Sequence, residues 1–266
     1  MAGQDAIHST FFSPAISIVL PTYNRREHLP RAISSVLRQT FADFELIVVD
    51  DGSTDGTSGF VKEFGDARIV CISLPQNRGQ AAARNAGIRA ARATLIAFQD
   101  SDDEWLDEKL AWQMEILRRE PGVAMTYGDL LRFPLSGAPF TIQAPELARG
   151  RLFDNRPTRY ASFGIGIQTC VIRAEVLRRV GGFDERLRCF EDLELFLRIT
   201  RRHKSIRLPK VLVHYFENEG VSHMQREERA ARYFLLRHYW LDILLHEPGW
   251  LLKERSSIRH HRMLGM

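Results

Sequence analysis

The stretch "FQDSDDEW", residues 98–105, sets Asp100, Asp102, Asp103 and Glu104 within five positions behind an apolar run. Two carboxylates about 4 Å apart repel by roughly 4 kcal/mol at an effective dielectric of 20, so such a cluster requires solvent, a proton or a cation. Oxygen donors without Cys or His suit Mg2+ or Mn2+, and Mg2+ sites commonly combine one or two carboxylates with substrate phosphates. The plainer alternative is a solvated loop in which Asp102 or Asp103 caps a helix. Position favours the cation, because the cluster follows an apolar strand and lies opposite a second pair, Asp50 and Asp51. Further along, Glu191 and Asp192 form another acidic pair. A carboxylate there can act as a general base or cap the helix that follows, and spacing alone leaves both readings open.

These groups need elements to hold them. "ISIVL" is a β-branched run ending at Pro21, and Leu29, Ala32, Ile33, Val36 and Leu37 follow at helical spacing. The unit repeats with "FELIVV" and a helix near 58–64, with "RIVCISL" and an Ala-rich helix near 80–92, and with "ATLIAF" before the acidic cluster. Asp107 is placed to cap a fourth helix containing Leu110, Met114 and Leu117. Four βα units predict a largely parallel sheet with helices on both faces. In such a sheet, ligands bind beyond the carboxyl ends of the strands. There the sequence sets Thr22, Tyr23 and Asn24, then Asp50 and Asp51, then Asn77 and Arg78, then the acidic cluster.

Beyond Pro121 the pattern weakens. "GVAMTY" reads as a fifth strand and 131–160 as a loop; "GIQTCVI", a helix from 174, the "GGFDE" turn and a helix over 191–201 restore order. "FGIGIQT" lacks the GxGxxG spacing of a dinucleotide loop and reads as a tight turn. After Met224 the chain is basic and aromatic, with Tyr233, Phe234, Leu235, Tyr239, Trp240, Ile243 and Leu244 at helical spacings. Core or dimer packing accounts for that pattern; with Arg226, Arg229, Arg232 and Arg237 beside it, an anionic lipid surface is the alternative partner.

The net charge of +4 comes from basic residues scattered among the 266, not gathered in a stripe, which argues against nucleic acid as a partner. Cys71, Cys170 and Cys189 form no CxxC pair, so reduced thiols and a cytoplasmic setting are expected. The first residues lack a basic n-region and make a poor signal peptide, and no run approaches the ~20 apolar residues of a membrane span.

Several motifs in order carry a family likeness. "VLPTYNRREHLPRAISSVLRQTFADFELIVVDDGSTDGT", "NRGQAAARNAGIRAARATLIAFQDSDDEW" and "VIRAEVLRRVGGFDERLRCFEDLELFLRI" together resemble the family 2 glycosyltransferases, over roughly residues 15–222. The resemblance implies an α/β GT-A fold: a mostly parallel, Rossmann-like central sheet with helices on both faces, plus a helical C-terminal extension. It divides the chain into a glycosyltransferase domain over 1–223, with a nucleotide-sugar half at 15–128 and an acceptor half at 129–223, and the extension at 224–266.

Roles follow from the matched positions. Asp100-Ser101-Asp102 matches the family's DxD motif, so Asp102 is implied to bind Mn2+ or Mg2+, with Asp100 contacting the ribose or a metal-bound water and sharing the metal site. Pro21, Thr22 and Tyr23 match the wall beneath the base, Asp51 a contact to the base, and Arg78 and Arg84 are the candidates for the diphosphate. Glu191-Asp192 matches the motif that supplies the catalytic base, with Asp192 the base itself. Asn218 stands where a histidine often completes the metal site, which leaves Asn218, His214 and His223 as options for a third contact.

The implied activity is inverting transfer of a sugar from a nucleoside diphosphate, UDP- or dTDP-linked, to a hydroxyl of a glycan or lipid-linked acceptor in cell-surface polysaccharide or glycolipid synthesis. The protein would work in the cytoplasm, with peripheral contact at the inner membrane face or a homodimer through the C-terminal helices. The rival reading is a non-catalytic sugar-nucleotide or glycan-binding protein on the same fold. A nucleotidyltransferase is disfavoured, because no glycine-rich phosphate loop with a paired lysine is present.

Overall fold

The computed structural model describes residues 13–147 and 165–218, together with 227, 230–235 and 237–239. Its first half follows the hydrophobic pattern. β1 (Ile16–Thr22), α1 (Leu29–Leu37), β2 (Phe44–Asp50), α2 (Thr57–Glu63), β3 (Ile69–Ser73), α3 (Gln80–Ala90) and β4 (Leu95–Phe98) alternate as strand and helix. The four strands pair in parallel in the order β3-β2-β1-β4. Every residue of β1 and β2 is buried, because helices cover both faces. Ile16, Ile18 and Leu20 face the core beneath α1, whereas Val19, between them, joins Ala83 and Ala86 of α3 in the opposite core. One strand thus feeds two cores through its period of two.

The second half extends the same sheet with mixed polarity. β5 (Glu104–Trp105), α4 (Lys109–Arg119), β6 (Val123–Phe133), β7 (Phe140–Ile142), β8 (Val171–Arg173), α5 (Ala174–Val180), α6 (Glu191–Thr200) and β9 (Lys204–Phe216) complete it. The nine-stranded order is β3-β2-β1-β4-β8-β6-β9-β5, with β7 on β6. "GVAMTY" is a strand, the beginning of β6, but the short antiparallel β8 separates it from β4. Residues 131–160 are not all loop: β6 runs to Phe133 and pairs with β7, while 148–164 lie outside the described residues. β9, which the sequence pattern did not single out, pairs in parallel with β6 across register shifts. Because β6 spans residues 128 and 129, the segments on either side of that expected boundary share one continuous sheet.

Asp107 makes no cap on α4. The flanking residue is Glu108, without a side-chain cap bond, and Asp107 lies 3.6 Å from Arg38 while its carbonyl accepts from the Thr40 amide. The fourth helix is held instead by its buried face, including Leu110, Gln113 and Leu117. Of the extension, residues 230–235 and 237–239 are helical. Ala231, Leu235 and Tyr239 are buried, and the Tyr239 hydroxyl donates to Glu194 of α6 at 2.5 Å. This part therefore packs against α6; Trp240, Ile243 and Leu244 lie outside the described residues. Among the described residues no helix is long and apolar enough to cross a membrane.

Lys109 is fully buried at the start of α4. Its Nζ donates to Gln113 Oε1 at 2.8 Å and lies 3.9 Å from the Trp105 ring, and burial lowers its pKa to about 7. An amine with a depressed folded-state pKa costs most stability below that pKa and nothing above the unfolded value. Lys109→Met is therefore expected to gain stability relative to the parent at pH 6, with the advantage shrinking as pH rises towards 10. Denaturant titration at both pH values checks this; an advantage that grows with pH would refute it.

Candidate active site

The loops after β1 and β2 fasten to each other before they meet any ligand. Asn24 adopts a left-handed backbone (φ 49°), which Asn tolerates, and its Oδ1 accepts from the Thr54 amide at 2.8 Å. The Asn24 amide donates to Ser53 Oγ at 2.9 Å. Gly52 has φ 79°, and a Cβ there would fall 2.7 Å from the Gln76 carbonyl carbon, so only glycine lets the third loop pack this closely. The result is a cleft of about 280 Å³ whose walls include Pro21, Thr22, Tyr23, Arg25, Asp51 and Asp102. Asp100, Ser101, Gly79 and Gln80 also border it. Tyr23 is 43% exposed, its ring available on the wall of the cleft.

Asp51 lies in this cleft but is already bonded. Its Oδ1 accepts from the Arg78 amide at 2.9 Å and its Oδ2 from the Gly79 amide at 2.8 Å. A base N–H could reach only the lone pairs that remain. Arg78 lends its backbone, not its side chain, since its guanidinium pairs with Glu185 at 2.9 Å. Asp102 accepts from Asn218 Nδ2 at 2.7 Å and lies 3.9 Å from Arg25. Burial and the neighbouring Asp100 push its pKa up, offset in part by Arg25. The Arg31 guanidinium, stacked 3.6 Å from the Phe216 ring centre, donates to the Asp102 carbonyl and holds the acidic loop against β9. Asp103, fully buried, accepts from Gln168 at 2.9 Å and from the Phe216 amide at 3.1 Å. Its neighbours therefore make it a structural tie.

A second cleft, of about 390 Å³, adjoins the first across Gln80 and Asp100. Asp192 lines it with Glu191, Arg188, Arg132 and Tyr215, and Leu130, Ile165 and Ile167 form an apolar wall. Phe190, just before α6, has φ 58°, an unusual backbone for an aromatic residue and a local strain at the acidic pair. Asp192 occupies the first turn of α6 without capping it across the turn: its Oδ1 accepts from the next amide, Leu193, at 2.7 Å. Burial and the negative charge of Glu191 raise its pKa to about 7, against the lowering effect of Arg84.

Arg84 joins the two clefts. Only 2% of its side chain is exposed, and it donates through Nη2 to Asp100 at 2.8 Å and through Nη1 to Glu191 at 2.7 Å. The adjacent Asn85 accepts from the Phe183 amide at 2.8 Å and donates to the Phe183 carbonyl at 2.9 Å and to Glu185 at 3.0 Å. Sequence reasoning assigned Arg84 to a ligand and Asn85 to nothing. A signal was present: an Arg-Asn pair inside an Ala-rich helix buried from Ala81 to Ile88 must find internal partners.

The residues present suit a hard divalent cation. Asp100 and Asp102 supply oxygen donors at one cleft, and burial together with the neighbouring Asp100 raises the Asp102 pKa, a cost that a cation would relieve. Among the described residues no three or more His, Cys, Asp or Glu side chains are placed to hold a metal ion together, so a ligand's phosphates would have to complete the coordination. His214 is turned to another purpose, 3.6 Å from Glu104 and edge-on to Phe133 at 5.3 Å. His223 lies outside the described residues.

Comparisons with known proteins agree with this fold. The profile described as Glycosyl transferase family 2 matches residues 17–181, and one described as Glycosyltransferase like family 2 matches 158–238. An Escherichia coli protein named UDP-Glc:alpha-D-GlcNAc-diphosphoundecaprenol beta-1,3-glucosyltransferase WfgD is 40% identical over 114 residues, 43% of this chain and 45% of that one. The chain spans about half the length of the curated relatives it matches. Among solved structures, S. aureus TarS in complex with UDP-GlcNAc aligns with TM-score 0.71 at 22% identity, covering 87% of this chain and 67% of that one. A mannosyltransferase from Pyrobaculum calidifontis in complex with GDP-Man and Mn2+ aligns with TM-score 0.64 at 20% identity, covering 86% and 64%. At those identities the likeness establishes the fold, the α/β GT-A architecture expected above.

Proposed function

Because the chain belongs to glycosyl transferase family 2, we propose that it is an inverting glycosyltransferase acting on a nucleoside-diphosphate sugar, with Asp192 as catalytic base. The observation that carries this is the union of two clefts at Asp100. One bears a polar, tyrosine-walled pocket suited to a nucleotide, the other a carboxylate with a pKa of about 7 beside an apolar wall. A general base works best with a pKa near the operating pH.

In this mechanism Asp192 takes the acceptor's hydroxyl proton as that oxygen attacks the anomeric carbon. The bond from that carbon to the phosphate oxygen breaks, and its electron pair leaves with the nucleoside diphosphate. Attack from the face opposite the leaving group inverts the configuration. Mn2+ or Mg2+ held by Asp102 and Asp100 would supply positive charge to the departing diphosphate. Arg84 pairs with both Glu191 and Asp100, while the Asp192 carboxylate accepts only from the Leu193 amide among the described residues and faces the cleft. Asp51 shapes the base end by holding the amides of residues 78 and 79, and Thr22 and Tyr23 wall the base. Asn218 orients Asp102. Residues 15–128 form the donor half and 129–223 the acceptor half, with the helical residues 230–235 and 237–239 packed on the latter.

The relative named above acts on UDP-Glc and a diphosphoundecaprenol-linked acceptor, and TarS binds UDP-GlcNAc. These names favour a UDP-sugar donor and a lipid-linked or surface-polysaccharide acceptor, met by peripheral contact with the inner membrane face. Asp102→Ala is expected to remove Mn2+-dependent stabilisation by nucleoside diphosphates while the unliganded melting temperature stays within a few degrees. A thermal-shift panel of UDP, GDP, dTDP and CDP with and without Mn2+ reads this directly, since ligand stabilises the native state by mass action. An undiminished Mn2+-dependent shift in the variant would refute the metal assignment. Absence of sugar transfer or hydrolysis by the parent chain, across mixed nucleotide sugars, would refute the enzymatic reading.

A further inference from the structure

The two arginines expected at the donor's diphosphate are engaged elsewhere. Arg78 pairs with Glu185, and Arg84 is buried between Asp100 and Glu191. Two other guanidinia, one in the donor cleft and one in the adjoining cleft, have little to hold them. Arg25 lines it, and its one ion pair among the described residues is the 3.9 Å approach to Asp102. Arg188 is exposed, lines the adjoining cleft, and has no hydrogen bond or ion pair among the described residues. Gly79 defines its position: a Cβ there would fall 2.1 Å from Arg188 Nη1. Gly79 itself lines the donor cleft, so the Arg188 guanidinium sits at the seam of the two clefts.

A nucleoside diphosphate brings at least two negative charges into a cleft that already holds Asp51, Asp100 and Asp102. One divalent ion offsets only part of that sum. Guanidinium stays charged at every working pH and binds phosphate oxygens in a two-pronged fashion. We propose that Arg25, from the loop after β1, and Arg188, from the loop before α6, close on the donor's diphosphate from its two sides. This rests on the glycosyltransferase reading and deepens it: the leaving group is held by both halves of the chain. As the bond to the anomeric carbon breaks, charge gathers on the diphosphate and both contacts strengthen. The clamp also makes donor binding bring the loop before Asp192 towards the reacting carbon.

The test is calorimetric titration of UDP against uridine, and of GDP against guanosine, with Mn2+ present. The proteins are the parent, Arg25→Ala, Arg188→Ala, the double variant and the two lysine variants. Each alanine variant is expected to lose about tenfold to a hundredfold in diphosphate affinity, as for a hydrogen bond to a charged group. Nucleoside affinity and unliganded melting temperature should be unchanged, and lysine should restore part of the loss. Variants that keep their melting temperature and bind the diphosphate like the parent would overturn the proposal. So would an Arg188→Ala effect confined to the acceptor's KM. A parent that binds neither diphosphate would refute the glycosyltransferase reading itself, a separate outcome from failure of the clamp.

Discussion

Asp192→Asn is expected to lower turnover about 10²- to 10⁴-fold, the usual contribution of a positioned general base, while leaving nucleoside-diphosphate affinity within about twofold of the parent. The amide keeps an oxygen for the Leu193 N–H, so the first turn of α6 is preserved. What disappears is the capacity to take a proton. In the parent, the logarithm of kcat/KM should rise with unit slope to a plateau near pH 7, the value to which burial and Glu191 push this carboxyl. The variant should show no such limb.

Stability gives the same substitution an independent readout with a definite sign. The folded-state pKa of Asp192 lies above the unfolded value of 3.8. Between those values the native state holds the extra proton, so parental stability falls as pH rises from about 4 to about 7. Asp192→Asn should therefore melt higher than the parent at pH 8 and match it near pH 4. A variant less active and more stable is the expected signature of a carboxylate kept in an unfavourable environment for function. A variant of parental activity, or one destabilised at pH 8, would remove Asp192 from the mechanism.

Arg84→Met carries the second large effect. The guanidinium is buried, and its removal strands Asp100 and Glu191, which are 17% and 8% exposed at their side chains. Removing one partner of a buried ion pair costs about 3–5 kcal/mol, which for a chain of this size is a fall of roughly ten degrees in melting temperature. Arg84→Lys should recover part of the stability, because an ammonium carries the charge but cannot reach both carboxylates with the same planar fork. Kinetics distinguish positioning from mere support. Arg84 holds the Asp192 pKa down, so its loss should move the acid limb of the rate profile to higher pH. If kcat falls with no displacement of that limb, Arg84 only stabilises the fold.

How much of this was legible in the chain depends on the distance over which each feature is decided. β1 to β4 were readable because their apolar runs are local and their helices show period 3.6 within one window. The grouping of Thr22, Tyr23, Asp51 and Asp100 to Asp102 followed from topology, since parallel strands bring successive loops to one edge. β9 was not readable, and neither was the insertion of β8 between β4 and β6. The three-residue β8 leaves no periodic trace, β9 is interrupted by Pro209 and meets β6 across register shifts, and register is decided by the sheet they join. The Asp107 cap failed for a related reason: Arg38, just past the end of α1, draws its carboxylate, and the Thr40 amide takes its carbonyl.

Side-chain roles divide in the same way. Asp102 was singled out by an acidic cluster behind a buried strand, whereas Asp192 was singled out by the family resemblance, since spacing alone left a helix cap as an equal reading. Arg84, by contrast, was recognisable as a cation but not as the bridge between residues 100 and 191, and Arg78 was recognisable but turned to Glu185. Composition and local spacing determined the strands, the helices and the edge of the sheet where polar groups collect, because burial and backbone geometry act over a few residues. Only the tertiary structure decided which arginine meets which carboxylate, because electrostatic pairing depends on distance in space, and residues 107 positions apart stand 2.7 Å from one another.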